Sequence, residues 1–149
     1  MKEVFMREAM AKAAMSQDPN TKVGCVLTYN DKIVGYGCNR MSRRSRVEFP
    51  WKRDGELQDT KYPYVIHAEM TAIVHARGSS VTDAYVTLFP CSNCAKLLVE
   101  FGIKNIYYLD DKYAHKTDTI ASKRLLDGCG VHYEQVYIDG EITEQEMRI

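Results

Sequence analysis

Four side chains of this chain carry reactive chemistry at telling intervals: His67, Glu69 two positions later, and the pair Cys91 and Cys94. A Cys-x-x-Cys pair by itself serves equally as a redox couple or as half of a metal site. Here Pro90 precedes the pair directly after a β-rich run, which predicts that both thiols open a helix. Residues three apart share a helical face, and a helix N-terminus favours thiolate over thiol. One imidazole and two thiolates fill three of zinc's four positions. Structural sites close the fourth with protein, whereas catalytic sites leave it to water. The other thiols, Cys25, Cys38 and Cys129, fall in two predicted strands and at a helix end, and read as small core residues. If none of them is recruited the site is open, and zinc then lowers the pKa of bound water to about 7. Two other readings compete: a closed, non-catalytic zinc module, which has no use for Glu69, and a metal-free dithiol couple, which explains neither His67 nor Glu69.

Periodicity predicts the elements that position these groups. Phe5, Met6, Ala9, Met10 and Ala13 recur at helical spacing, giving a helix over about Glu3 to Ser16 that Asp18-Pro19-Asn20 breaks. The β-rich runs Val23 to Tyr29 and Ile33 to Cys38 flank Asn30-Asp31 and read as a hairpin. His67 to Arg77 is predicted helical, with Gly78 as its C-cap. Met70 to Ala76 carries no charge, so this helix reads as mostly buried, and a carboxylate at its head needs a partner or a task. Ala84 to Phe89 is a strand. Cys91 to Phe101 is a helix whose stripe of Cys94, Leu97, Leu98 and Phe101 turns the sulfurs inward. Ile106 to Leu109 is a strand, Thr117 to Cys129 a helix, Val131 to Val136 a strand, and the acidic tail from Tyr137 a short helix. Helices alternating with short strands predict an α/β layered sheet, three layers deep. The stretch from Asn39 to Pro63 has no period and holds Arg40, Arg43, Arg44, Arg46, Lys52 and Arg53. A loop of that length inside a compact domain is functional or mobile, or else simply solvated.

Composition narrows the classes. The 149 residues predict one domain spanning 1–149. Twenty basic and twenty acidic side chains cancel, which disfavours broad capture of nucleic acid or of an anionic membrane. The longest stretch without Asp, Glu, Lys or Arg, Ala84 to Ala95, contains Pro90 and falls far short of the roughly 20 apolar residues of a spanning helix. Glu3, Arg7, Glu8 and Lys12 stand where a signal peptide would be apolar. The expected location is cytoplasmic, with five reduced cysteines.

His67-Ala68-Glu69 followed by Pro90-Cys91-Ser92-Asn93-Cys94 resembles the zinc-dependent cytidine and deoxycytidylate deaminase family. Further segments are similar to its deoxycytidylate deaminases: Asp18-Pro19-Asn20, Val23-Gly24, Ile33-Val34-Gly35, Gly37 with Asn39, Pro50-Trp51, the run from Asp59 to Tyr64, Leu88-Phe89-Pro90 and Asp111-Lys112-Tyr113. They span about residues 15 to 135. The resemblance implies an α/β/α fold on a mixed five-stranded sheet with helices on both faces. It implies one catalytic zinc ion per subunit on His67, Cys91 and Cys94, and hydrolysis of dCMP to dUMP and ammonia in pyrimidine nucleotide metabolism, supplying dTTP. Glu69 then moves a proton from the attacking water to N3 of the cytosine and helps protonate the departing ammonia. Asn39 is expected at the deoxyribose, and Ala68, Phe89 and Pro90 at the base. Lys112 and Tyr113 are expected at the nucleotide, with Lys112 supplying charge for a 5′-phosphate.

The family also implies a homohexamer activated by dCTP with magnesium and inhibited by dTTP. The regulatory triphosphate is expected near the loop after the second strand, at Gly37, Arg40, Arg43 and Arg44. Where the family often reads Asn-Gly-Met-Pro, this chain reads Asn39-Arg40-Met41-Ser42. That exchange loses glycine's freedom at positive φ and proline's fixed φ, and adds cations suited to phosphate. Relatives within the superfamily act on tRNA adenosine, free cytidine or guanine. The neutral charge weighs against RNA, and the 39–63 insertion favours a mononucleotide.

Overall fold

Helices and strands alternate along the chain largely as periodicity predicts. The computed structural model describes residues 1–139. Its elements are α1 (Lys2–Ala13), β1 (Gly24–Tyr29), β2 (Lys32–Cys38), α2 (Ala68–Ala76), β3 (Asp83–Leu88), α3 (Ser92–Phe101), β4 (Asn105–Asp110), α4 (Thr117–Gly128) and β5 (His132–Gln135), with a short 3₁₀ turn at Leu57–Asp59. The expected tail helix falls outside the described residues from position 140 onward. No described helix is long and apolar enough to cross a membrane.

The sheet is mixed and five-stranded, in the order β2-β1-β3-β4-β5. β1 runs antiparallel to both β2 and β3, while β3, β4 and β5 are parallel. Successive side chains on a strand point to opposite faces, so each strand feeds two cores. Cys25, Leu27, Ala84, Val86 and Ile106 face Ala72, Ala76, Leu98 and Leu126 of α2, α3 and α4. Val26, Tyr85 and Tyr107 face Phe5, Met6 and Ala9 of α1. The three-layer arrangement with helices on both faces follows from that alternation.

Several boundaries differ from expectation for identifiable reasons. α1 stops at Ala13 rather than Ser16, because the Ser16 hydroxyl donates to the Asn39 carbonyl at 2.8 Å and accepts the Asp18 N–H at 3.2 Å. α2 is not buried all round: Val74 is 70% exposed, and its core face is made by Ala68, Thr71, Ala72 and Ala76. The left-handed C-cap falls on Arg77 (φ 51°) and not on Gly78. On α3, Cys94, Ala95 and Leu98 face inward, whereas Leu97 turns outward at 38% exposure. Cys25 and Cys38 are buried as expected, but Cys129 is exposed at the end of α4.

Gly37 has a packing role. A Cβ there would run into the Thr71 hydroxyl of α2, which lies directly over β2. The long insertion is pinned at its neck. Arg40 donates to the Ile66 carbonyl at 3.0 Å and Ile66 donates back at 2.8 Å, so Asn39 and His67 leave the two sides of one bridge. Within the insertion Phe49 stacks on Tyr64 at 4.4 Å, and the Lys61 N–H bonds to the Lys52 carbonyl at 2.9 Å.

Candidate active site

The N-termini of α2 and α3 meet under the insertion. His67 is the N-cap of α2 and Cys91 the N-cap of α3, and neither side chain caps its own helix. Ser, Thr, Asp or Asn usually takes that position because its side-chain oxygen accepts an orphan N–H. Here both cap positions are given to metal-type donors. The expectation that His67 and Cys91 sit within the first helical turns is corrected accordingly: each has extended backbone just outside its helix, while Glu69 and Cys94 lie inside the first turn.

The donors converge. His67 Nδ1 lies 3.3 Å from Cys94 Sγ and 3.5 Å from Cys91 Sγ. The three ligand atoms all fall within 4.8 Å of one another. A tetrahedral zinc ion with N and S bonds of about 2.05 and 2.3 Å separates those donors by about 3.6 Å. The cluster therefore fits zinc with little movement. Cys25, Cys38 and Cys129 take no part in it.

The ionisation of these groups follows from the packing. The Cys91 thiol is pulled down to about 4, chiefly because the Cys94 thiol donates to it, with a further bond from His67 and against the opposing effect of burial. Cys94 is raised in turn, first by holding that proton for Cys91 and then by burial. His67 is raised by its bond to Cys91. Metal binding requires both thiolates, so uptake of zinc releases a proton. Burial lifts Glu69 to about 7, with the His67 charge pulling it back and the Cys91 charge adding to the rise.

A cavity of about 290 Å³ opens onto this cluster. Asn39, Ala68, Phe89 and Tyr113 line it together with His67, Glu69 and Cys91. Pro90 lies buried behind the wall, and its carbonyl accepts the Ser122 hydroxyl at 2.9 Å. Asn39 is already engaged by protein. Its amide donates to Asp18 Oδ2 and to the Thr21 carbonyl, and its Oδ1 accepts the Val23 N–H. Only an Oδ1 lone pair remains to meet a sugar.

Lys112 does not line this cavity. It lies beside a second cavity of about 280 Å³ with Met10 and Leu109, its ammonium 3.3 Å from Thr21 Oγ1. Past the end of β4 the chain turns, Tyr113 lines the first cavity and Lys112 the second, and the Lys112 ammonium stays 5.2 Å from the centre of the Tyr113 ring. Gly37, Arg40, Arg43 and Arg44 border neither cavity. Arg40 is half-buried and donates to the Met41 carbonyl, while Arg43 and Arg44 are exposed.

The cations that do border the first cavity are Arg53, Lys61 and Lys116, and Asp18 and Asp118 join them. Sequence reasoning missed all five as site residues. In sequence Asp18 stands out as a helix breaker and as part of the family-like Asp18-Pro19-Asn20 segment, Arg53 as one charge of an irregular loop, and Lys61 within the Asp59–Tyr64 run. Lys61 pairs with Asp18 at 2.5 Å, with side-chain exposures of 10% and 0%. The bond from Lys61 and the N–H groups of Asn20 and Thr21 overcome burial and hold the Asp18 carboxyl below its usual range.

A three-layer fold that sets an imidazole–dithiol cluster beside a buried carboxyl defines a candidate metal centre of the hydrolytic type. The family model described as the cytidine and deoxycytidylate deaminase zinc-binding region matches residues 1–110. Human deoxycytidylate deaminase is 41% identical over 138 residues, covering 89% of this chain and 78% of the relative. A probable deoxycytidylate deaminase of Caenorhabditis elegans is 38% identical over 150 residues, covering 96% and 73%. The dCMP deaminase of cyanophage S-TIM5, solved with dCMP and dUMP, superposes with a TM-score of 0.74 at 26% identity, covering 91% of this chain and 96% of that one. The chain belongs to the cytidine and deoxycytidylate deaminase family.

Proposed function

We propose that this protein hydrolyses dCMP to dUMP and ammonia as a zinc enzyme. The observation that carries the reading is the buried Glu69 carboxyl beside the His67–Cys91–Cys94 cluster, in a cavity that also holds cations. A zinc ion on those three donors would supply the Lewis acidity that makes water a nucleophile near neutral pH. Glu69 accepts the proton that water gives up as oxygen bonds to C4 of the cytosine, and delivers it to N3. It then takes the proton of the new C4 hydroxyl and carries it to the exocyclic nitrogen, whose bond to C4 breaks as the C4 carbonyl forms and ammonia leaves. Burial raises the Glu69 carboxyl above its usual range, which favours a group that can both take up and return a proton. Phe89 and the backbone at Ala68 form the wall for the base.

The phosphate role passes from Lys112 to other side chains. Lys61 is neutralised by Asp18, which leaves Arg53 and Lys116 as the cavity cations available to a 5′-phosphate. Release of ammonia from dCMP, CMP, deoxycytidine and a tRNA stem-loop by the zinc-loaded protein tests the reading, with dCMP expected to have the highest kcat/KM. Preference for the nucleoside or the RNA would overturn it. Control by dCTP–magnesium and dTTP, and a homohexameric assembly, come with the family resemblance. A hyperbolic dCMP response unchanged by either triphosphate would remove that control.

A further inference from the structure

Cys91 occupies the N-cap of α3 without capping it, so the first N–H of that helix needs an acceptor from elsewhere. α4 supplies it. Asp118 Oδ2 accepts the Ser92 N–H at 3.0 Å, and its Oδ1 accepts the Ser92 hydroxyl at 2.5 Å. One turn further along the same face of α4, Ser122 donates its hydroxyl to the Pro90 carbonyl at 2.9 Å. These bonds grip the chain on both sides of Cys91. Lys123 adds a brace, with its ammonium 2.6 Å from Asp111 Oδ2 and 5.0 Å above the centre of the Phe89 ring.

We infer that α4 is the positioning element of the metal site, with Asp118 and Ser122 bracketing Pro90 to Ser92 and so fixing the Cys91 sulfur against His67 and Cys94. The inference rests on the reading that this cluster holds zinc. Neither residue is placed to ligate the ion, and the effect passes through the backbone of Cys91. The arrangement also explains why a cysteine is tolerated at a helix cap: the cap it forfeits is provided by a neighbouring helix, and the same bonds set the cysteine's direction. A metal ligand held from outside in this way keeps its place when its own side chain has no other anchor, and loss of such support typically weakens metal affinity by about 10–100-fold.

The test uses the zinc-loaded full chain. Zinc release into excess chromophoric chelator is timed for wild type, Asp118→Ala, Asp118→Asn, Ser122→Ala and Ser122→Thr. The expected result is release about tenfold faster or more in both alanine variants. Asp118→Asn and Ser122→Thr, which keep hydrogen-bonding groups, are expected close to wild type. In cobalt-substituted protein the thiolate-to-cobalt charge-transfer band is expected to shift in the alanine variants and not in the conservative ones, a change that general loosening of the fold would not produce selectively. Ser122 is fully buried, so should its alanine variant fail to fold, the exposed Asp118 decides the matter alone. Release rates within twofold of wild type in folded variants, with an unchanged cobalt spectrum, would overturn the bracket while leaving the deaminase reading intact. A wild-type chain that takes up no zinc would overturn both.

Discussion

Glu69 shows how burial sets the chemistry of a single residue. Removing the carboxyl from water lifts it to about 7, where it can both accept and give a proton. Glu69→Gln is expected to retain zinc while dCMP turnover falls by about 10²–10⁴-fold. Metal analysis alongside turnover checks this, and normal turnover in the zinc-loaded variant would refute proton transfer by this group. Asp18 shows the opposite balance, since a cation and two N–H groups outweigh its burial. Because its folded pKa lies below the unfolded 3.8, its contribution to stability is fully present above pH 3.8 and is lost as pH falls through the folded value. Asp18→Asn strands the Lys61 ammonium in a site it barely leaves, and is expected to cost about 3 kcal/mol at pH 7. In urea unfolding the gap to wild type should narrow below pH 4; a gap that persists unchanged there would mean the charge of Asp18 is irrelevant. His67, Glu69, Cys91 and Cys94 were legible in the sequence because their residue types admit few other uses. Asp18 and Lys61 were not, because a buried pair 43 positions apart leaves no local pattern.

At the scale of elements, the periodic faces were readable and the ends were not. α1, α3 and the strands declare themselves through apolar spacing, but where a helix stops depends on which side chain claims the next backbone group. Ser16 is claimed by Asp18 and Asn39, and Cys91 by the cluster it joins. The C-terminus of α2 is instructive, because Arg77 holds φ 51° directly before a glycine. Left-handed backbone costs a residue with a Cβ about 1–2 kcal/mol, part of which glycine gives back through unfolded-state entropy. Arg77→Gly should therefore raise the midpoint of thermal unfolding, corresponding to about 0.5–1 kcal/mol, without altering zinc content. Gly37→Ala should do the reverse, since its Cβ meets the Thr71 side chain of α2. The expected loss is about 1–3 kcal/mol, partly relieved in a Gly37→Ala/Thr71→Ala double variant. Additive losses in that double variant would assign the clash to the Thr71 Cβ and the Ala72 backbone rather than to the Thr71 hydroxyl.

For the whole molecule, net charge conceals local organisation. Twenty positive and twenty negative side chains cancel, and the cavity beside the reactive cluster sorts both signs: Arg53, Lys61 and Lys116 from the insertion and the start of α4, against Asp18, Glu69 and Asp118. Nothing in the sequence ties the insertion to that segment, because the neck at Arg40 and Ile66 that folds it over the cavity is a tertiary contact. Lys116 also lies 4.1 Å from the centre of the Tyr113 ring, which orients its ammonium at the cavity wall. If Arg53 and Lys116 meet the phosphate, attraction must weaken as salt shortens the screening length to about 8–10 Å and below. The KM for dCMP should then rise with ionic strength while kcat stays level, and the KM for deoxycytidine should hardly move. Lys116→Ala or Arg53→Ala is expected to raise the KM for dCMP about tenfold at low salt, the size of one charge-assisted hydrogen bond, and to flatten its salt dependence. Lys112→Ala, facing the second cavity, should leave that salt dependence as it is. A salt response abolished by the Lys112 substitution and untouched by the other two would return the phosphate to Lys112, the residue that the family resemblance first implied.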